Sequence, residues 1–170
     1  MTAWRYPGWV LSLVAGVIMG CVAPNAYKQL LPPDEHGRYR AYSRVMTLKQ
    51  SRTYLNLPTA AERAAYAEAL GTAELLDTLP PNEREAVLQG LVFRGMSEQA
   101  LRLLWGMPCW QDGTPSDEHW YYHGPTLLLT EVGRHCTPGD TITEVSIENG
   151  TVHWWKERLP SKGLEYRRRP

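Results

Sequence analysis

An Asn149-Gly150 dipeptide between two alternating apolar stretches constrains the fold of this 170-residue chain more than any other feature. Asn-Gly is typical of a two-residue β-hairpin loop, because such a loop needs positive φ at both central residues. The loop predicts that Glu148 pairs with Thr151. One face of the hairpin is then apolar throughout and carries Val145, Ile147, Val152 and Trp154. Because register and apolar character agree, we predict an antiparallel hairpin over residues 141–157.

The opposite face of this predicted sheet carries aromatic rings. Trp155 falls on it beside the polar residues of the hairpin. In the strand-like residues 119–123, Trp120 and Tyr122 share one face, so Tyr121 lies on the other. Exposed tyrosine and tryptophan rings are typical anchors of protein contacts, and they are also ordinary cross-strand neighbours. We predict Tyr121 and Trp155 as candidate partner-binding residues.

Caps and breaks mark the helices that precede the predicted sheet. Thr59 and Glu62 have the spacing of a capping box, and Gly71 is a typical helix end. Ser97 is a natural N-cap for a helix that ends at Gly106. We predict at most one helical turn near residues 27–31, and helices over residues 38–54, 59–71, 72–79, 82–91 and 97–105.

Two further strands, paired antiparallel, are expected between the last predicted helix and the hairpin. Residues 111–118 are polar and predict a loop before the strand at 119–123. A strand continuing to Val132 would span about 46 Å, so we expect a break at Gly124-Pro125 and an antiparallel return over 126–132. The predicted fold class is α+β: an N-terminal helical segment, then a helix pair packed on a three- to four-stranded antiparallel sheet.

The first residues of the chain have the layout of a secretory signal. Arg5 is the only charge before Cys21, and the apolar stretch over residues 9–20 is shorter than the roughly 20 residues that span a bilayer. Residues 18–21 (Ile-Met-Gly-Cys) resemble the lipobox of bacterial lipoproteins. This resemblance implies cleavage after residue 20 and acylation of Cys21, and Val22 favours the periplasmic side of the outer membrane. The alternative is an uncleaved signal anchor.

Charge is unevenly distributed, although the chain holds 18 basic and 18 acidic residues. A net charge of zero argues against nucleic acid as a partner. The basic stretch after Cys21 could lie along anionic lipid headgroups or serve as a solvated tether. We divide the chain into a signal peptide (1–20), a lipidated linker (21–37), a helical segment (38–80), an α+β domain (81–158) and a basic C-terminal tail (159–170).

The cysteine and histidine residues of the C-terminal half allow several interpretations. Cys109 and Cys136 lie in predicted loops, and the environment beyond an inner membrane is oxidising, so we predict a disulfide between them. Two separate reduced thiols are the alternative. His119 and His123 share a strand face, but no zinc-like spacing accompanies them. His135 adjoins Cys136 without an oxyanion turn or nucleophile elbow. We expect no metal, no cofactor and no catalysis.

The order of motifs in residues 83–158 resembles one known family. Gly95-Met96-Ser97 begins an apolar helix, Gly106-x-Pro108 ends it, Trp120-x-Tyr122 follows in a strand, and the Asn149-Gly150 hairpin closes the unit. This order is similar to that of the SmpA/OmlA, or BamE-like, small lipoprotein domain. The resemblance implies a helix pair on an antiparallel sheet, held at the outer membrane and serving envelope assembly or integrity through contacts with proteins or lipid. The helices predicted over residues 38–79 lie outside that family's compact unit.

Two classes of function remain open. The first is a membrane-anchored, noncatalytic lipoprotein that contacts the bilayer through acylated Cys21. It would bind an envelope protein complex as an assembly-machine accessory or as a structural subunit. The second is a periplasmic enzyme, or a lipoprotein that binds a small ligand or metal, acting through the sheet end that contains histidine and cysteine.

Overall fold

The computed structural model of the chain describes residues 26–131 and 141–158. Within these residues the helices precede a four-stranded antiparallel sheet, which confirms the predicted α+β class. The helices are α1 (Tyr27–Leu30), α2 (His36–Ser43), α3 (Leu48–Asn56), α4 (Ala60–Ala69), α5 (Thr72–Asp77), α6 (Pro81–Gln89), α7 (Glu98–Trp105) and α8 (Thr126–Leu129), with a 3₁₀ turn at Pro33–Glu35. The strands are β1 (Trp110–Thr114), β2 (Asp117–His123), β3 (Ile142–Glu148) and β4 (Thr151–Arg158).

The helix ends that depend on local capping groups are confirmed. At the start of α4 the Thr59 hydroxyl accepts a hydrogen bond from the Glu62 amide at 3.2 Å, and the Glu62 carboxylate accepts one from the Thr59 amide at 3.1 Å. Gly71 follows α4 with a φ of 69°, a left-handed conformation that favours glycine. The Ser97 hydroxyl accepts from the Ala100 amide and begins α7. Each cap is formed within a few residues along the chain.

The single helix predicted over residues 38–54 is wrong, because the structure has two helices there, α2 and α3. Thr47 begins α3 with a second capping box, in which its hydroxyl accepts from the Gln50 amide and its own amide donates to the Gln50 side chain. In the turn before it, Arg44 donates to the backbone oxygens of Leu129 at 2.6 Å and Glu131 at 3.2 Å. A local cap and a long-range contact thus divide a stretch that lacks glycine and proline.

The predicted linker over residues 21–37 is part of the fold in its described portion, residues 26–37. Tyr27 and Leu31 are buried in the core. Glu35 accepts two hydrogen bonds of 2.7 Å from the guanidinium of Arg63 in α4. One core cluster extends from Tyr27 to Val152 and crosses the boundary that was predicted after residue 80. The helices and the sheet therefore share a single core.

The sheet is a meander in the order β1-β2-β3-β4, and each neighbouring pair is antiparallel. The loop predicted over residues 111–118 is wrong, because these residues form most of the β1–β2 hairpin. Gly113 has a φ of 103°, and a Cβ at this position would collide with the backbone oxygen of Asp117. β1 is exposed along its whole length, so it lacks the apolar alternation that identifies a strand in a sequence.

The break predicted at Gly124-Pro125 is confirmed, but the return strand predicted over 126–132 is wrong in its described residues. Residues Thr126–Leu129 instead form the short helix α8. At its start the Thr126 amide donates to Glu157 Oε1 at 2.7 Å. At its end Arg44 binds backbone carbonyls. Side chains from distant elements therefore satisfy backbone groups that strand pairing would otherwise use.

The β3–β4 hairpin is confirmed, but its register shifts beyond the turn. Glu148 pairs with Thr151 as predicted, whereas a bulge further along makes Val145 pair with Trp155 instead of Trp154. Val145 is completely buried, and residues directly opposite each other share a sheet face. Trp155 consequently packs against the core. The faces predicted for the two tryptophans are exchanged.

The bulge lies where the segment before α7 contacts the edge of β4 that does not pair with β3. Arg94 Nε donates to the His153 carbonyl at 2.7 Å. The Gly95 amide donates to the Val152 carbonyl at 2.7 Å, and the Val152 amide donates to the Met96 carbonyl at 2.8 Å. The segment before α7 therefore covers the beginning of β4 and accommodates one extra residue in that strand. Nothing within the hairpin sequence indicates this contact.

Candidate functional site

One side of the sheet faces away from α7 and carries a continuous group of aromatic and charged side chains. α7 packs on the other side, where the Trp105 ring lies 5.5 Å from the Tyr122 ring and the Arg102 guanidinium lies 4.7 Å from the centre of the Trp120 ring. Alternation along the strands places the remaining positions on the outer side. We define the outer face as Trp110, Asp112, His119, Tyr121, His123, Glu144, Ser146, Trp154, Lys156 and Arg158.

A stacked pair of rings forms one end of the outer face. The Trp110 and Tyr121 rings lie 4.7 Å apart and are inclined by only 6°, and their residues are directly paired between β1 and β2. The Tyr121 hydroxyl lies 3.5 Å from an Asp112 carboxylate oxygen. Partial burial raises the pKa of this hydroxyl, and the charge of Asp112 raises it further. The phenol therefore stays protonated at neutral pH, and the pair presents a flat aromatic surface with a polar tip.

The Trp154 ring forms a second aromatic position on the same face. Its centre lies 5.7 Å from the His119 ring in an edge-to-face arrangement. The Lys156 ammonium also contacts the Trp154 ring. It lies 4.2 Å from the ring centre, which is a cation–π distance. Both contacts depend on the β3–β4 bulge, because the regular register would turn Trp154 toward α7.

A buried carboxylate lies between the two aromatic positions. The side chain of Glu144 is only 6% exposed, yet it lies 2.7 Å from Arg158 Nη2, 3.1 Å from His119 Nδ1 and 3.5 Å from Lys156 Nζ. Its Oε2 atom makes no aligned hydrogen bond within the described residues, so the contacts with arginine and lysine are ion pairs of loose geometry. The two cations are about half exposed and can redirect toward a bound group without breaking an aligned bond.

Of the predicted partner-binding residues, the structure places one on the outer face and one away from it. Tyr121 lies on the outer face as predicted. The assignment of Trp155 to this face is wrong, because the bulge turns Trp155 toward the core. Sequence reasoning missed Trp154 as an outer residue because it assumed unbroken alternation. Sequence reasoning also did not place Trp110 in a strand, because β1 has no apolar alternation.

The cysteine predictions fall largely outside the described residues. Cys21 and Cys136 both lie outside the described residues, so acylation of Cys21 stays a prediction. Cys109 is disulfide-bonded. Its partner is not among residues 26–131 or 141–158, and the specific Cys109–Cys136 pairing stays a prediction.

The two histidines of β2 do lie on one face. His119 contacts Glu144, and His123 lies 5.5 Å from the Trp110 ring. Burial lowers the pKa of His123 below its ordinary 6.5. Within the described ranges, no group of three or more histidine, cysteine, aspartate or glutamate residues could hold a metal ion.

No protein-family model, curated protein or solved structure matches the chain. The BamE-like resemblance therefore stays a prediction that rests on the order of its motifs. None of the helices in residues 26–131 and 141–158 combines the length and the apolar character that crossing a membrane requires.

Proposed function

We propose that this chain is a lipid-anchored, noncatalytic envelope protein whose outer face binds a protein partner. The observation that carries the proposal is the combination of Trp110, Tyr121 and Trp154 on one rigid four-stranded sheet. Interfaces are enriched in tryptophan, tyrosine and arginine at their energetic centre. Rings held by strands lose little conformational freedom on binding, so more of their contact energy appears as affinity.

The charges of the outer face suit a partner with acidic groups beside an apolar patch. Lys156 and Arg158 flank the aromatic positions, and both are about half exposed. A carboxylate on the partner could accept charge-assisted hydrogen bonds from one of these cations, while the other cation stays paired with Glu144. Such rim charges speed association and select orientation more than they add affinity.

Attachment to the outer membrane is part of the same proposal and rests on the lipobox-like residues 18–21. Acyl chains on Cys21 would hold the sheet within reach of partners in the envelope, as an assembly accessory or structural subunit of an outer-membrane complex. We expect a Cys21→Ala variant to leave the membrane fraction or to be misplaced in it. Intact mass of the native protein that still includes residues 1–20 would contradict this part of the proposal.

The test of docking is affinity capture of the full-length protein from detergent-solubilised envelopes. Removing a ring at the centre of an interface costs more than about 2 kcal/mol, so Trp154→Ala should lower partner recovery roughly thirtyfold. Trp155→Phe is the matched control, because it changes the neighbouring tryptophan while keeping a ring on the inner face. Equal recovery with Trp154→Ala and the native protein would contradict docking through this face. Turnover of a substrate that is lost on changing His135 or Cys136 would overturn the noncatalytic assignment.

A further inference from the structure

The first helix of the fold lies close behind the proposed acylation site. Ala26 follows Cys21 by five residues. A fully extended chain spans about 3.3–3.6 Å per residue, so Ala26 lies within about 18 Å of an acylated Cys21. The helix α1 begins at the next residue, and the Tyr27 side chain is buried in the core. An anchor at Cys21 would therefore hold the folded part of the chain directly against the bilayer.

The surroundings of Tyr27 show which elements lie near the anchored start of the chain. The Tyr27 ring centre lies 5.1 Å from that of Tyr39 in α2, which lies 5.6 Å from that of Tyr54 in α3. Burial lowers the pKa of Arg44, which follows α2, to about 10, and the nearby hydroxyls of Tyr122 and Tyr27 oppose this effect. Arg44 in turn donates to backbone carbonyls at the end of α8. The helices α1, α3 and α8 therefore lie in the same part of the molecule.

Each of these three helices carries a strongly exposed leucine. Leu30 in α1 is 56% exposed, Leu48 in α3 is 66% exposed and Leu127 in α8 is 81% exposed. They are the three most exposed large apolar side chains in residues 26–131 and 141–158. One exposed leucine is ordinary, but the concentration of all three near the proposed anchor indicates a surface that contacts an apolar medium.

Unpaired cations accompany these leucines. Lys49 and Arg52 lie one turn apart on α3, and Leu48 lies beside both, on the side of the helix turned away from Tyr54. Lys28 lies on α1. All three cations are exposed, and none forms an ion pair within the part of the chain that the structure describes. Leucines and free cations are thus combined on one side of α3 and repeated on α1.

The local charge favours an anionic contact. Residues 26–57 contain six basic and two acidic side chains. One of the two acids, Glu35, is already paired with Arg63 of α4 at 2.7 Å. Binding at a membrane surface strengthens with the apolar area that enters the boundary between headgroups and acyl chains, and with the attraction of cations to anionic lipids. Both contributions are present in the same three helices.

We propose that α1, α3 and α8 form a surface that lies on the bilayer and binds anionic phospholipid headgroups. This bilayer-contact surface consists of Lys28, Leu30, Leu48, Lys49, Arg52 and Leu127. The inference rests on the proposed anchor at Cys21, because the short connection to Ala26 is what brings the surface to the membrane. Its residues differ from those of the outer face, whose rings stay available for a protein partner.

The experiment is carbene footprinting of the native, acylated protein reconstituted into vesicles. One set of vesicles contains phosphatidylglycerol and phosphatidylethanolamine, and the other contains phosphatidylcholine alone. We expect labelling of Leu48 and Leu127 to fall in the anionic vesicles and to recover at about 1 M salt, where charges are screened beyond about 3 Å. Leu75 is the internal reference, because it is 39% exposed on α5 and does not belong to the surface. Its labelling should be equal in both sets.

Substitutions on α3 test the contribution of charge. Each cation near an anionic membrane contributes about fivefold to the binding equilibrium. Lys49→Gln combined with Arg52→Gln should therefore shift the equilibrium about thirtyfold toward the lifted state and restore labelling of Leu48. Lys49→Arg combined with Arg52→Lys is the matched control, since it keeps both charges and should keep the protection. Both side chains are exposed, so neither double variant alters the core.

Flotation of the protein with vesicles at high salt reports the anchor separately. Protein that floats while Leu48 and Leu127 label equally in both sets of vesicles would overturn the bilayer-contact surface and leave the proposed anchor intact. Protein that does not float would contradict the anchor and this inference together. An equal fall in labelling at Leu75 would indicate general coverage of the protein. Protection that requires an added envelope protein extract would assign the surface to a protein partner. Either of these last two results would also overturn the proposal.

Discussion

The helical layer and the outer face of the sheet both collect aromatic side chains, but they bury them differently. In the helical layer, Tyr27, Tyr39 and Tyr54 are almost completely covered, and successive ring centres lie 5.1 and 5.6 Å apart. On the outer face the Trp110–Tyr121 pair is closer, at 4.7 Å, yet Trp110 is 38% exposed. The first three rings belong to α1, α2 and α3 and pack against one another, whereas Trp110 belongs to β1, which is exposed along its whole length. Covered rings contribute to stability, and the uncovered rings are the ones for which we propose a role in recognition.

The same contrast holds for the buried carboxylate of each region. Glu35 is held by one buried guanidinium through two aligned hydrogen bonds. Glu144 is held by Arg158, Lys156 and His119, which are all partly exposed. The first arrangement is closed and rigid, while the second can exchange its partners with a bound molecule. The expectations that follow test this contrast, beginning with the largest effect.

Truncation of a covered ring should cost far more than truncation of an uncovered one. We expect Tyr39→Ala to lower the free energy of unfolding by about 3–5 kcal/mol, because it leaves a cavity between Tyr27 and Tyr54. Tyr121→Ala should cost about 1 kcal/mol or less, the value of a cross-strand pair. Equilibrium urea unfolding followed by circular dichroism measures both. Similar losses for the two variants would remove the distinction between the regions.

Removing a cation that pairs with each buried carboxylate should affect stability differently in the two regions. Arg63→Ala leaves Glu35 buried without its partner and should destabilise the fold by about 3 kcal/mol. Arg158→Ala removes a half-exposed partner of Glu144 and should cost less than about 1 kcal/mol. The double variant Glu35→Leu with Arg63→Met removes both charges and should recover most of the loss. A double variant no more stable than Arg63→Ala would show that the charge pair is not the cause.

The bulge in the β3–β4 hairpin predicts opposite consequences for adjacent tryptophans. Trp155→Ala removes a ring packed against the core and should cost about 2 kcal/mol, whereas Trp154→Ala should cost less than about 1 kcal/mol. The same unfolding measurement compares them. The reverse order would mean that the hairpin keeps a regular register and that Trp155 lies on the outer face.

The smallest expected effect is a dependence of stability on pH in the helical layer. The hydrogen bonds from Arg63 hold the pKa of Glu35 below its ordinary 4.5. A carboxyl group with a lowered folded pKa stabilises the protein above its unfolded pKa, and this contribution is lost as the pH falls through the folded value. The unfolding free energy should therefore decline below about pH 4.5, and less steeply in Glu35→Gln. Identical slopes for the two proteins would assign the decline to other groups.

Much of the fold was predictable wherever the determining contacts are local. Thr59 and Ser97 cap helices through residues three positions away, and Gly71 ends a helix through its own conformation. Asn149-Gly150 determines a turn between the residues that flank it. The Thr47 capping box belongs to the same class, because its Thr-x-x-Gln spacing is visible in the sequence.

The candidate site was predictable only in part, because its membership depends on pairing between distant residues. Tyr121 follows from alternation in β2 alone. Trp154 requires the bulge, and the bulge accompanies contacts that Arg94 and Gly95 make to β4 from before α7. Trp110 requires β1, whose exposed polar residues form a strand only because β2 offers an edge to pair with.

The sequence by itself determined the α+β class, the capped helices, the break at Gly124-Pro125 and the turn of the last hairpin, since each depends on neighbours within a few residues. Tertiary structure decided where Arg44 and Arg94 bind, that residues 126–129 form a helix, and which tryptophan faces outward. These features depend on hydrogen bonds between residues as much as 87 positions apart. Their free energy becomes available only after the chain has folded around them, so no local pattern in the sequence encodes them.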